Sequence, residues 1–542
     1  MWSAAGCRLL GALGALAVAV GGYAAGTLPK QPEPWGLWAV RGTATTVTGA
    51  VLAYLGLTVL VAAWLRYGTL LARGEREARD RVLATLVLWS APLVLAPPLH
   101  SADVYSYIAQ GAMVLEGYDV YGAGPSVLGP GALGADAAAS VGGHWTDTPA
   151  PYGPVFLVLA QAVVKTTGGE IVPAVLGMRL LALGALALIV WAVRGLAGAA
   201  GSSGGLGGAG DSGGAGGSGG AEDSGRVGDP GGAGGSGGAE DSGGAGDSGG
   251  AGESGRPGLS GRAGGALWLA ALNPLLLIHV VGGMHNDGLM IGLMLSGVLL
   301  ATRGRWVLGS VLVGLAMMIK SPAAVALLFI GVMVARRHGG VRGVVKGLTL
   351  PGLVAGAIAV GATLLAGTGF GWLRTQSVAG AIHTALSLTS DVGLGLGLLL
   401  GDGPEPAKGL VQKLGLVLAV AIILELARRA WKGRIDPVLG LGLSLVALVA
   451  LSPMVQPWYL LWGVCAVAAV AWDARAGQVL AVLSAALVYE TAPSGATPWY
   501  GFVVGGVVLA AGLLWVRRAP WERPQVDGAV PAAGGALERT RP

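Results

Sequence analysis

The chain has 542 residues, 53% of them apolar and only 12% charged, with a formal net charge of +5. The apolar residues fall into blocks of roughly 15 to 22, which excludes a soluble globular class: such blocks cross hydrocarbon as helices, because lipid offers no other partner for their backbone N–H and C=O groups. The two cysteines, Cys7 and Cys465, sit inside apolar runs, which excludes a disulfide framework and a cysteine-rich metal site, and basic residues clustered beside the runs mark topology rather than a nucleic-acid partner.

The first run, Arg8 to about Gly26, ends in small residues like those of a signal-cleavage site. Its length and the hydrophobicity of the rest of the chain favour a retained first helix. Spans are predicted near 7–26, 44–65, 82–99, 172–194, 265–283, 288–302, 306–320, 322–336, 347–367, 409–427, 437–452, 457–472, 477–491 and 499–516. With the N-terminus inside, these put the basic clusters around Arg73, Arg337, Arg429 and Arg518 on the cytoplasmic side, as the positive-inside rule requires. Several are short for a bilayer of about 30 Å, so broken or tilted helices are expected. The stretch 154–168 is shorter still and is predicted to be a re-entrant or interfacial helix.

Residues 197–264 are rich in Gly, Ser and Ala and repeat GGAGGSGGAEDSG at 213 and 231. Such a segment cannot bury enough apolar surface to offset its ordering entropy, so a disordered linker is predicted. It separates an N-terminal membrane region, 1–196, from a C-terminal one, 265–516, which a cytoplasmic tail, 517–542, follows. Many of the 17 tryptophans, such as Trp35, Trp64, Trp89, Trp268, Trp306 and Trp499, lie at run ends and read as headgroup anchors.

The predicted outer loop 100–153 contains no Lys or Arg and gathers acids, aromatics and histidine. Asp103, directly after a span and followed by Tyr105 and Tyr107, suits a base acting on an alcohol at the bilayer surface; the plainer reading is a helix cap. Asp119, Asp147 and His144 share the loop, and His144 is either an acid or phosphate contact or simply solvated. Trp145 or Tyr152 would stack on a sugar or anchor at the interface.

His285, Asn286 and Asp287 follow Gly282 and Gly283 at a sharp turn and suit hydrogen bonds to a hydroxylated ligand. Without a third ligand at clear spacing they make a weak metal site, so no metal is expected. His279, within an apolar run, reads as a satisfied core residue. Lys320 lies at a helix break before Pro322; it either snorkels or joins Arg374 in a receptor for a lipid phosphate. The 368–408 segment reads as an outer loop, and Gln456, Trp458 and Tyr459 would line the same cleft. Glu425, within a span, is expected to pair with Arg428 and Arg429 near the inner surface.

In combination, SADVYSYIAQGAMVLEGYDVY, HWTDTPAPYGP, NPLLLIHVVGGMHND and VQPWYLLW resemble the polyprenol-phosphate-mannose-dependent α-(1→6)-mannosyltransferases of actinobacterial lipoglycan assembly, in the GT-C superfamily of integral membrane glycosyltransferases. The resemblance runs from about 82 to 475, interrupted by the linker. It implies an all-α polytopic integral membrane protein of GT-C type with about 14 transmembrane helices and a large first catalytic outer loop. It further implies a polyprenyl-phosphate mannose donor, a mannan or lipoglycan acceptor, no cofactor, inversion by one displacement, and a site on the extracytoplasmic face of the cell membrane. The family's first-outer-loop aspartate falls on Asp103, as base toward the acceptor hydroxyl, and inversion needs only one such base. Lys320 and Arg374, placed by position and not by motif, would stabilise the leaving phosphate.

A rival reading is a polytopic transporter or flippase. Transporters place ionisable groups at the midplane and show repeated halves, whereas the acids here gather at outer ends and no repeat is evident. A scaffold that binds lipid-linked glycans without turnover is a third reading, separated from the enzyme by Asp103→Asn.

Overall fold

The structure is a computed structural model describing residues 3–31, 36–204, 261–401 and 404–518. The predicted linker and tail, and Trp35, lie almost entirely outside the described residues. Among these the chain is all helix, with no strand.

Helices of ten or more residues are numbered in chain order: α1 Ala4–Ala25, α2 Thr43–Ala72, α3 Val82–Leu95, α4 Asp103–Leu115, α5 Pro154–Thr167, α6 Ile171–Gly204, α7 Gly261–Ala270, α8 Asp287–Thr302 and α9 Trp306–Met317. There follow α10 Val325–His338, α11 Gly340–Ala366, α12 Leu388–Leu400, α13 Pro404–Trp431, α14 Pro437–Ala450, α15 Leu461–Ala471, α16 Arg475–Leu487 and α17 Trp499–Arg518. Every apolar segment predicted to span carries a helix. Among the described residues, seven are long and apolar enough to cross a membrane unaided, and α7 with the turn after it, bent by 47°, makes an eighth. The protein is a polytopic helical membrane protein.

The bundle has two chemically distinct ends. At one, Arg8 pairs with Glu77 at 2.8 Å, Arg262 donates to the Val470 carbonyl, Arg337 to that of Thr302 and Arg336 to that of Ala430. At the other, the backbone of Thr27 donates to Pro98, that of Leu99 to Gly282 and that of His100 to Pro493. These bonds tie together the chain ends after α1, α3, α7 and α16. Helix α6 runs between the two ends: Arg179, near its start, meets the Val94 carbonyl at 2.7 Å, and Gly195, farther on, lies against Leu299 and Arg303.

Small residues set the close approach of α1 and α2. Gly14 and Gly56, and Gly21 and Gly49, face each other across α1 and α2, where an added Cβ would fall within 3 Å of the opposite backbone; in lipid such close approach supplies the packing attraction that water cannot.

Two expectations change. Helix α12 occupies part of the predicted 368–408 loop, opened by Ser387, whose hydroxyl accepts from the Ser390 N–H. Trp64 and Trp268 are not headgroup anchors but a buried stacked pair, rings 4.9 Å apart, each indole donating to the other's carbonyl at 2.9 and 2.8 Å; Trp89 is buried likewise and donates to the Arg8 carbonyl. The run ends holding them face other helices, so their polar N–H groups find protein partners. Trp499 stays 76% exposed, as an anchor should. Helix α5, over the stretch predicted to be re-entrant or interfacial, leaves the α9–α10 break, where Gly153 N–H meets the Ile319 carbonyl, and ends with Gly169 against Gly134 of the 100–153 loop.

Candidate active site

Two interruptions of helical winding build the site. The first follows Asn273, which caps the next turn by accepting from the Leu275 N–H. Residues Leu277–Gly282 then wind as a π-helical turn, a wide winding that recurs at functional positions. Met284 lies just beyond at φ 54°, and His100, across the same end, at φ 60°. Left-handed backbone at non-glycine residues costs about 1–3 kcal/mol each, so the surroundings must impose it. Arg179 does part of this, donating to the carbonyls of Val94, Ala96 and Gly282. His100 Nδ1 meets the Thr491 carbonyl at 2.8 Å; burial pushes its pKa down to about 4, so it is neutral at pH 7.

The second interruption lies between α9 and α10. Lys320 is extended, and Pro322 opens a short 3-10 turn before α10. The 100–153 loop docks here through Gly153, where any Cβ would lie 2.4 Å from the Met318 carbonyl oxygen. Glycine is required for that approach.

Asp103 is the first residue of α4, and Ala102 holds the cap position, so capping does not account for the acid. Its N–H donates to Ser101 Oγ at 3.1 Å. Its Oδ2 lies 3.3 Å from His285 Nδ1, with the imidazole sealed and the carboxylate 18% exposed. Burial raises the carboxyl pKa, but the opposing effects of His285, Lys320 and Ser101 together outweigh it and hold Asp103 below the ordinary carboxylate value. His285 is itself fixed by stacking on Trp458 with ring centres 3.7 Å apart.

Asp287 is the contrasting acid. It is fully buried and accepts from Lys320 Nζ at 2.9 and 2.8 Å and from Trp462 Nε1 at 2.6 Å. Lys320 also sits 4.5 Å above the Tyr459 ring, which stacks on Trp462 at 4.4 Å.

Asp103, Lys320, Gln456 and Tyr459 open onto a cavity of about 420 Å³ that Trp145, Tyr152, Trp458 and Trp462 also line. Much of its remaining wall is apolar: Val325, Leu416, Leu448, Pro453 and Met454, from α10, α13 and the α14 end. A polar, acid-bearing head meets a greasy flank.

Seven predicted residues therefore converge on one cavity: Asp103, Trp145, Tyr152, Lys320, Gln456, Trp458 and Tyr459. His285 and Asp287 act behind that surface, on Asp103 and Lys320, and do not present hydrogen bonds to a ligand. Asn286 is buried beside Phe156 and Met178 in a separate small void. Tyr105 points away: it is buried and donates to the Thr27 carbonyl, because two residues along a helix turn the side chain to the far face. Tyr107 takes the expected place, edge-on to Tyr152 at 5.3 Å. Asp147 accepts from Ser126 at 2.6 Å and closes the loop on itself. Arg374 and Asp119 line a different cavity, and Lys320 is engaged by Asp287, so the expected Lys320–Arg374 phosphate receptor does not form. The His144 side chain lies outside the described residues. His279 is buried but not satisfied, since neither ring nitrogen has a hydrogen-bond partner; its ring lies 4.8 Å from Trp458 and 5.5 Å from His285. No group of three or more His, Cys, Asp or Glu arranged to hold a metal occurs among the described residues. The expected Glu425 pairs with Arg428 and Arg429 are present at 2.6 and 2.8 Å.

Sequence reasoning passed over Arg179, His100 and Trp462. The signal for Trp462 was its spacing, four residues after Trp458. A buried arginine inside an apolar run was the signal for Arg179.

Comparison with known proteins identifies the family. Residues 8–207 and 258–336 match the family described as alpha-(1→6)-mannopyranosyltransferase, N-terminal domain, and residues 383–518 match the MptB C-terminal domain. A Mycolicibacterium smegmatis protein named "Probable alpha-(1->6)-mannopyranosyltransferase" is 32% identical, over 95% of this chain and 89% of its own length. An alpha-(1→6)-mannopyranosyltransferase of Mycobacterium tuberculosis is 30% identical over 98% of this chain and 90% of its own. Alpha-(1→6)-mannopyranosyltransferase B of Corynebacterium glutamicum is 27% identical over 95% and 82%. No solved structure matches. With matches that bracket the cavity from both halves of the sequence, the chain belongs to the alpha-(1→6)-mannopyranosyltransferase family and is a membrane glycosyltransferase.

Proposed function

We propose that the 420 Å³ cavity transfers mannose from polyprenyl-phosphate mannose to an α-(1→6)-mannan or lipomannan-type acceptor, with inversion, on the extracytoplasmic face of the cell membrane. The fold would be of GT-C type, with the short helices completing about fourteen crossings. One observation carries the reading: Asp103, 3.3 Å from His285, faces a cavity whose flank is apolar.

In the step, Asp103 takes the proton of the acceptor hydroxyl. The freed oxygen bonds to the anomeric carbon as the carbon–oxygen bond to the lipid phosphate breaks, and the phosphate departs with the electron pair. One base suffices for this inversion. Lys320 Nζ, although paired with Asp287, lines the cavity and offers a positive N–H donor to the departing oxygen. The relatives' names support mannose and the α-(1→6) linkage, the apolar flank supports a lipid-borne donor, and the basic clusters at the opposite end support the sidedness. Nothing in the comparisons favours a transporter.

The test is transfer by membranes given polyprenyl-phosphate mannose and short α-mannosides, with linkage analysis of the product. The intact chain should form α-(1→6) product, and Asp103→Asn should bind donor without transfer. Undiminished transfer by that variant overturns Asp103 as base; a different linkage overturns the acceptor.

A further inference from the structure

Beside the catalytic cavity lies a second of about 500 Å³, bounded by the chain after α4 and by the turn after α11. We infer that it holds further sugar units of the acceptor glycan, a subsite that rests on the mannosyltransferase reading above. Its volume falls within the roughly 300–1,000 Å³ of ligand pockets. Three side chains give it chemical character: Tyr118, 44% exposed, Asp119 and Arg374.

This set suits a neutral polyol. The guanidinium presents a rigid fork of donors that matches two oxygens on adjacent carbons, a carboxylate accepts from hydroxyls, and a half-exposed aromatic face stacks on the apolar face of a sugar ring. Among the described residues neither Asp119 nor Arg374 is in an ion pair, so each keeps capacity for a ligand; Asp119 only accepts from the Tyr121 N–H at 3.0 Å. A phosphate would meet the Asp119 charge as well as Arg374, which disfavours an anion. The rim adds bare backbone: Gly117, Gly367 and Gly369 have φ of 84°, 67° and 70°, and an added Cβ at each would point into open space. Positive φ favours glycine there, and the absence of side chains leaves the rim open to a bulky ligand.

The two cavities share a wall one helical turn thick. In the short helix Trp372–Thr375, Arg374 lines the second cavity while Thr375 and the following Gln376 line the catalytic one. Tyr121 stands between them, packed so closely on Gly371 that a Cβ there would lie 2.4 Å from it, and its hydroxyl donates to the backbone of Tyr152, a catalytic-cavity residue. An acceptor whose terminal hydroxyl reaches Asp103 has its preceding units led toward Tyr118.

The experiment compares α-(1→6)-linked mannosides of two to six units as acceptors of the intact chain, Arg374→Ala and Asp119→Asn, alongside direct calorimetric binding of the same mannosides to the detergent-solubilised protein. Each substitution should lower the ratio of kcat/KM for long over short acceptors by about tenfold, through KM, and weaken binding of long mannosides similarly; tenfold corresponds to about 1.4 kcal/mol. Equal effects at every length, or none, overturn the subsite. If the intact chain transfers no mannose, the function proposal fails separately, and the binding arm still decides: mannosides that bind no better to the intact chain than to Arg374→Ala overturn the subsite too.

Discussion

The two ends of the bundle carry similar ion pairs with opposite consequences. At the basic end, Glu425 holds Arg428 and Arg429 on one exposed helix face. Water and counterions screen such pairs and leave them little energetic weight. At the other end Asp287 holds Lys320 with the acid fully buried, and Asp103 holds only a histidine. Burial turns the same chemistry into commitment: Asp287 cannot lose its partner cheaply, while Asp103, sealed on one side and open to the cavity on the other, stays charged and available.

The sharpest way to break this contrast is Asp103→Asn, which keeps the shape and removes the base. Transfer should fall by about 10²- to 10⁴-fold in a membrane assay, with donor binding retained. Next comes Lys320→Ala, which strands the Asp287 charge. Breaking a buried pair costs about 3–5 kcal/mol, read as a large fall in Tm in detergent, and replacing both residues by Met and Leu should recover much of it because no uncompensated charge remains.

A smaller effect is expected from His285→Ala. Burial would still raise the Asp103 pKa, but the strongest opposing contact would be gone, so the acid limb of kcat/KM moves to higher pH. The sign follows from the intact protein: its folded pKa lies below the ordinary value, so the active anion, and its contribution to stability, persist through mildly acid pH and vanish only as pH falls through the folded value. An unmoved acid limb would remove His285 from this role. Smallest of all is Glu425→Gln, which should leave both Tm and transfer unchanged.

Much of the architecture was legible because hydropathy alone fixes where a chain can cross lipid, and each predicted span holds a helix. The misses have local causes. Helix α12 was hidden inside a loop because its 13 residues are too few to read as a span, although Ser387 before an apolar run is a cap signature. Tyr105 and Tyr107 both follow Asp103 closely in sequence, but a period of 3.6 residues puts positions four apart on one face, so Tyr107 meets Tyr152 while Tyr105 turns to the Thr27 carbonyl. The π turn adds residues to the winding between Leu277 and Gly282, so no regular period could tell that His279 would lie against Trp458 and His285 without a partner. Arg374 and Lys320 are both cations near the same end, but only packing could reveal that Lys320 is paired with Asp287.

The place where the Gly/Ser/Ala-rich segment joins the bundle has its own consequence. The end of α6 is reached past Gly195, which lies beside Leu299 and Arg303, and α7 resumes with Gly264 against Arg79; both attachment points sit at the basic end, a full helix length from Asp103. The family match skips this stretch, stopping at 207 and resuming at 258. A reporter or affinity handle spliced into that stretch is therefore expected to leave mannose transfer unchanged, which the same membrane assay reads.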